Sequence, residues 1–184
     1  MALISQSDVE NRIGRSLTAE EAAAFSIINE ANQKYVEKII GSAVEDVTPS
    51  TRYYDGDVVN LEIDPCTNIS SVQYVDQDDS VLATLDTDEY IAEPRNRTLK
   101  YWLRSRLGEF WDGQRNIAVT AKFSIYGDAD TLAVVKDALI TALEAEIGNT
   151  TNITRESIEG YTVEFAQSQT KNALDKLKYL FPGV

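Results

Sequence analysis

The sequence has no histidine. That removes the commonest general base near neutral pH and the commonest zinc ligand. It has one cysteine, Cys66. A single thiol excludes an internal disulfide framework and a cysteine-rich metal site, and it fits a reducing compartment. Cys66 follows Pro65 in what reads as a loop, and no imidazole exists to activate it, so a catalytic thiol is not expected. No apolar run approaches the roughly 20 residues that cross a bilayer, and no membrane partner is expected. The stretch from Met1 to Arg15 lacks a basic segment followed by an apolar one, so no secretory leader is read there. The Asn-X-Ser/Thr matches at Asn68, Asn96, Asn149 and Asn152 are then read as accidental. Gly-rich phosphate loops of the Gly-x-Gly-x-x-Gly or Gly-x-x-x-x-Gly-Lys kind are missing as well. Neither a metal nor a cofactor is expected.

Positive charge is scarce: 17 Lys and Arg stand against 30 Asp and Glu, for a net charge of −13. A free-standing nucleic-acid binder draws its affinity from cations on phosphates, so this balance argues against one. Acidity keeps a protein soluble, and it also suits a surface that DNA slides past without sticking. Paired carboxylates hydrolyse glycosidic bonds, but thirty acids guarantee that some pair is close, so their presence says little. The cluster Asp76, Asp78, Asp79, Asp86, Asp88 and Glu89 lacks the spacing and closing Glu of a calcium loop and reads as a solvated turn. No catalytic residue is nominated, and the chain is not expected to be an enzyme.

What is present is an ordinary globular composition, 43% hydrophobic and 26% charged over 184 residues, enough for one sizeable core. Periodicity divides the chain into helix, strand and helix, and no internal repeat is found. Ser7 to Glu10 has capping-box spacing and Gly14 is placed to end that short helix. Thr18 and Glu21 repeat the box ahead of a helix from Glu20 to Gly41 whose Phe25, Ile28, Tyr35 and Ile39 share a stripe. From Thr51 to Tyr126 the period becomes two, clearest in Ile117, Val119, Ala121, Phe123 and Ile125. Turn chemistry separates these runs at Asp55-Gly56, Gln77–Ser80, Glu93-Pro94 and Asp112–Gln114. Helix returns with Asp130 as cap, a face of Leu132, Val135, Leu139, Ala142 and Leu143, and Gly148 as stop. A last helix starts near Ser168 or Thr170 and ends at Pro182.

The fold class expected is therefore α+β: a small bundle of about four helices with an antiparallel β-module inserted in the middle of the chain. Residues 1–48 carry the N-terminal helices, 49–127 the β-module, and 128–184 the C-terminal helices with an extended arm near 155–166. The helices at the two ends are expected to pack together.

Two contact surfaces stand out. Arg95, Arg97, Lys100, Arg104 and Arg106 form the one basic run, with Tyr101 and Trp102 inside it. Such a mixture binds single-stranded nucleic acid in other settings. On a −13 chain it reads first as a solvated strand face, then as a contact for an acidic protein, and last as a nucleic-acid site. Leu174, Leu177, Leu180 and Phe181 form an apolar stripe beside Lys171, Lys176 and Lys178. It is read as a docking element for a neighbour, with packing inside the chain as the competing reading.

The order of several segments resembles the head-tail connector (adaptor) family of long-tailed bacteriophages. The segments are Thr18-Ala-Glu-Glu-Ala-Ala-Ala-Phe25 through Tyr35 to Ile40-Gly41, Thr51-Arg-Tyr-Tyr-Asp-Gly56, Asn116 to Gly127, and Arg155 to Phe165. Asp128-Ala-Asp-Thr131 stands where many relatives have a Pro-containing loop. The resemblance implies a structural virion protein, made in the host cytoplasm, that forms a ring, usually dodecameric, under the portal. It implies contacts with further copies of itself, the portal protein and a stopper or tail-completion protein, around a channel through which DNA passes without tight binding. The alternative within the class is a tail-completion or stopper protein. The alternatives outside it are a ligand- or carbohydrate-binding β-module with helical flanks, and a hydrolase using two carboxylates.

Overall fold

Helix α1 spans Gln6–Ile13 in the computed structural model, which describes residues 3–150, 157, 158, 161, 162, 174 and 177. Its start is closed by Ser5 and Asp8, not by Ser7 and Glu10. The Asp8 N–H donates to Ser5 Oγ at 3.3 Å, and the Ser5 N–H donates to Asp8 Oδ2 at 2.8 Å. Ser5 is extended, at φ −92° and ψ 159°, as an N-cap must be, whereas Ser7 is already inside the helix. Gly14 ends α1 at φ 72°, a left-handed conformation that a residue with a Cβ adopts only under strain.

Helix α2 covers Ala19–Ile40. The expected box is present: the Glu21 N–H donates to Thr18 Oγ1 at 3.2 Å and the Thr18 N–H to Glu21 Oε2 at 2.8 Å. The Glu21 carboxylate also accepts both Arg15 Nη groups at 2.7 Å each, though Glu21 as a residue is only 1% exposed. The guanidinium and the cap hold its carboxyl at about 2, well below the ordinary 4.5. The buried face of α2 differs from the expected stripe. It runs through Asn29, Asn32, Val36, Ile39 and Ile40, while Tyr35 is exposed. Partners from distant segments explain the rotation: Asn29 Nδ2 donates to the Ile4 carbonyl at 3.1 Å, and Asn32 Nδ2 to Glu146 Oε1 at 3.3 Å.

Helix α3 covers Ala129–Thr150 and buries Val135, Leu139, Ala142 and Leu143 of the expected face, extended by Ile147, while Leu132 is only half-buried. Asp130 lies inside its first turn, where a carboxylate meets the positive end of the helix dipole, and the helix continues through Gly148. Three helices, not about four, are thus present among the described residues. Of the expected last helix only Leu174, in helical conformation, and Leu177, in a 3-10 turn, are described. In the expected arm, β7 (Ser157–Ile158) pairs antiparallel with β8 (Tyr161–Thr162). No helix of the described residues is long and apolar enough to cross a membrane.

The chain between α2 and α3 forms a six-stranded antiparallel sheet of β1 (Ser50–Tyr54), β2 (Asn60–Val75), β3 (Val81–Thr84), β4 (Tyr90–Glu93), β5 (Lys100–Ser105) and β6 (Ile117–Lys122). The order is β1-β6-β2-β5-β4, with β3 also on β2. The 16-residue β2 is the spine: its first half pairs with β5 and its second with β6 and β3. Sequence reading placed Pro65 and Cys66 in a loop, but they lie within β2 and Cys66 is fully buried. The register shifts between Glu62 and Cys66, and again between Thr67 and Ser71. Pro65 cannot donate to a ladder, and Asn68 has φ 50°, so the irregularities fall where the chain changes partner.

By contacts, the chain falls into two compact units, Met1–Ile40 with Asp130–Val184, and Gly41–Ala129. The second has its own core, in which Leu61, Ile63, Cys66, Val72, Tyr74, Leu103, Phe110, Ile117, Val119 and Phe123 cluster. Each large side chain buried there contributes roughly 1.5–3 kcal/mol. Arg52 anchors the rim: it pairs with Asp64 at 2.7 Å, donates to the Gly41 carbonyl at 3.0 Å, and lies 4.2 Å over the Phe123 ring.

Candidate docking surface

The basic run, continuous in sequence, divides in space. Arg95 and Arg97 are exposed in the β4–β5 turn. Lys100 Nζ donates to the carbonyls of Pro94, at 2.7 Å, and Arg95, at 3.3 Å, so its charge closes that turn. Arg104 and Arg106 are exposed toward the other end of β5, about 13 Å from Lys100 in the case of Arg104, at roughly 3.3 Å per strand residue. Tyr101 and Trp102 point to opposite faces of the strand, as its period requires.

The outward face of β2, β5 and β4 is built in cross-strand rows. Trp102 stands between Glu62 and Glu93, and Arg104 between Asn60 and Ile91. With Val59, five of these (Asn60, Glu62, Glu93, Trp102 and Arg104) line an open depression of about 610 Å³. Its lining combines an indole and a valine with two carboxylates, an amide and one guanidinium. Trp102 remains 41% exposed, so this face is a strand surface with an apolar centre left open to solvent.

A second exposed feature lies in the Arg106–Asn116 segment between β5 and β6, where Leu107 is 70% and Trp111 53% exposed. The segment is tied down on several sides. The Gly56 N–H donates to the Gly113 carbonyl at 2.9 Å, the Phe110 N–H to the Val58 carbonyl at 2.8 Å, and Asn116 Nδ2 to the Trp111 carbonyl at 2.7 Å. A Cβ on Gly56 would lie 1.7 Å from the Trp111 carbonyl oxygen, so only glycine permits this approach. Trp111 stacks on Tyr74 with centroids 4.0 Å apart and planes 6° from parallel. Sequence reading missed Leu107 and Trp111 as surface residues because periodicity carries no signal in a turn-rich segment.

The β2–β3 hairpin is the third feature. Asp76 Oδ1 accepts from the N–H groups of Asp78, at 2.9 Å, and Ser80, at 2.8 Å, so this member of the acidic cluster shapes a turn. Val81 and Leu82, which follow it on β3, are 55% and 59% exposed.

The candidate stripe near the C-terminus is described only in part. Leu174 and Leu177 are 2% and 1% exposed, and Leu180 and Phe181 lie outside the described residues. Burial pushes the Cys66 thiol up to about 12, which keeps it protonated at neutral pH.

No family model matches the chain, and no curated protein matches it by sequence. Among solved structures, a chain from the neck of an empty GTA (gene transfer agent) particle, computed with C6 symmetry, has a similar fold. The TM-score is 0.52 at 10% identity, and the alignment covers 95% of this chain and 88% of that one.

Proposed function

We propose that this chain is a structural protein of the neck of a phage-like particle, and within it a connector that forms a ring under the portal. The observation that carries the reading is the fold similarity to a neck chain over 95% of this chain, helices and β-module together. The family resemblance of the sequence, read from segment order, points the same way. In this role the chain is not an enzyme. It resides in the virion after synthesis in the bacterial cytoplasm, extends the DNA channel and joins the portal to a stopper or tail component. A net charge of −13 suits a channel wall, because duplex DNA is repelled and not held.

A stopper or tail-completion role is the second reading. The similar neck was computed with C6 symmetry. Six copies satisfy that symmetry directly, and twelve satisfy it with two chains per repeat. Native mass measurement of the chain with its particle's portal protein separates the readings. A ring of about twelve copies on the portal supports the connector. A sixfold ring that binds only a preformed connector supports the stopper, and a one-to-one complex with a single portal subunit overturns both.

A further inference from the structure

The β-module carries two exposed surfaces that complement each other and do not use each other's charges. From Asp76 to Pro94 the chain has acidic residues and no cation. Within that stretch Val81 and Leu82 are adjacent in β3 and both more than half exposed. Neighbouring strand residues point to opposite faces, so both faces of β3 are open to solvent. Among the described residues β3 pairs only with β2, and no charge or proline interrupts Ser80 to Leu85 to guard its free edge. The other surface is the depression lined by Val59, Trp102 and Arg104, with Arg106 exposed two residues further along the chain. Among the described residues none of Asp78, Asp79, Arg104 and Arg106 takes part in an ion pair.

We infer that the β2–β3 hairpin of one copy docks into the Trp102 depression of the next, with the Leu82 face of β3 against Val59 and Trp102, and Asp78 and Asp79 toward Arg104 and Arg106. The two surfaces are different, so the contact is head-to-tail, the kind that closes into a ring. Glu62 and Glu93 flank Trp102, which directs the acidic tip to the Arg104 end of the depression. This inference rests on the proposed ring and names its interface.

The test is disulfide trapping between two separately made variants, Leu82→Cys and Asn60→Cys, under conditions in which the chain forms rings. Cys66 is fully buried and does not compete. The mixture is expected to give a cross-linked pair that neither variant gives alone. Arg104→Glu is expected to weaken ring assembly by about tenfold or more through like-charge contact with the hairpin. Asp78→Lys with Asp79→Lys in the same chain is expected to restore it. Rings that form without the mixed cross-link, and that ignore Arg104→Glu, overturn this interface and leave the ring intact. Tight binding of duplex DNA that is lost in Arg104→Glu assigns the arginines to nucleic acid and also overturns it. A chain that forms no ring alone or on the portal overturns the proposed function itself.

Discussion

The two units bury polar side chains of different kinds: Glu21, Asn29 and Asn32 in the helical unit, and in the other mostly hydroxyls, Ser42, Thr67, Ser105 and Ser124, with Asp128. The β-module closes over an almost wholly apolar cluster in which Leu103, Val72, Ile117 and Val119 are fully buried. In the helical unit, the buried face of α2 includes Glu21, Asn29 and Asn32. A sheet satisfies its backbone through its own ladders, so its inward side chains need only be apolar and of the right size. A buried polar group on a helix needs a partner with the right geometry. Here Arg15, the Ile4 carbonyl and Glu146 supply it, from segments near and far. The apolar cluster around β2 is thus held by area, while α2 is oriented by particular hydrogen bonds of long side chains. Each unit leaves one buried amide oxygen without a partner among the described residues, Asn29 Oδ1 on α2 and Asn116 Oδ1 ahead of β6, and each has a cost.

Truncation in either core tests this contrast most severely. Leu103→Ala in the β-module and Leu139→Ala in α3, both fully buried in the native chain, should each cost about 2–5 kcal/mol. Hydrogen exchange should show the loss concentrated in the unit that carries the substitution. A uniform loss of protection from both variants would mean that the two units melt as one. Gly56→Ala comes next, at on the order of 3 kcal/mol, because the new methyl meets the Trp111 carbonyl. Its thermal midpoint should fall and the Trp111 fluorescence should shift, since the segment from Arg106 to Asn116 must move.

Glu21→Gln sharpens the comparison through pH. The Glu21 carboxyl is lowered in the fold, first by Arg15 and then by the Thr18 backbone, from 4.5 to about 2. A group with a depressed pKa stabilises the fold above its unfolded value, and that contribution is lost as pH falls through the folded one. The parent should therefore melt higher than Glu21→Gln above about pH 4.5, and the two should converge toward pH 2. A difference that stays constant down to pH 2 would show that the carboxylate's charge is not what Arg15 holds. The smallest effect is expected for Leu107→Ser. At 70% exposure it should change stability by about 0.5 kcal/mol or less. A larger loss on dilution of an assembled sample would make Leu107 an interface residue.

Much of the helical unit was legible in sequence because its signals are local. The Thr18–Glu21 box, the stop at Gly14 and the buried face of α3 all depend on residues within a turn or two of one another. The first box was read two residues late, since Ser5–Asp8 and Ser7–Glu10 share the same spacing and only the backbone at Ser5 separates them. The stripe of α2 was misplaced for a different reason. Hydrophobic periodicity counts asparagine as solvent-facing, and the partners that bury Asn29 and Asn32 lie 25 and 114 residues away in sequence. The strand through Pro65 was hidden in the same way, because a proline reads as a break until a partner exchange accommodates it.

For the candidate surface, sequence named Arg104 and its neighbours but could not divide them. By itself the sequence determined the composition limits, the change of period from helix to strand and back, the stop of α1 at Gly14 and the capping box of α2. All of these follow from chemistry within a few residues. Only the tertiary structure decided that one strand serves both halves of the sheet, that Lys100 closes the β4–β5 turn while Arg104 stays exposed, and that Trp102 lies between Glu62 and Glu93. Those outcomes depend on register between distant strands, and a shift of one residue reverses which face every side chain presents.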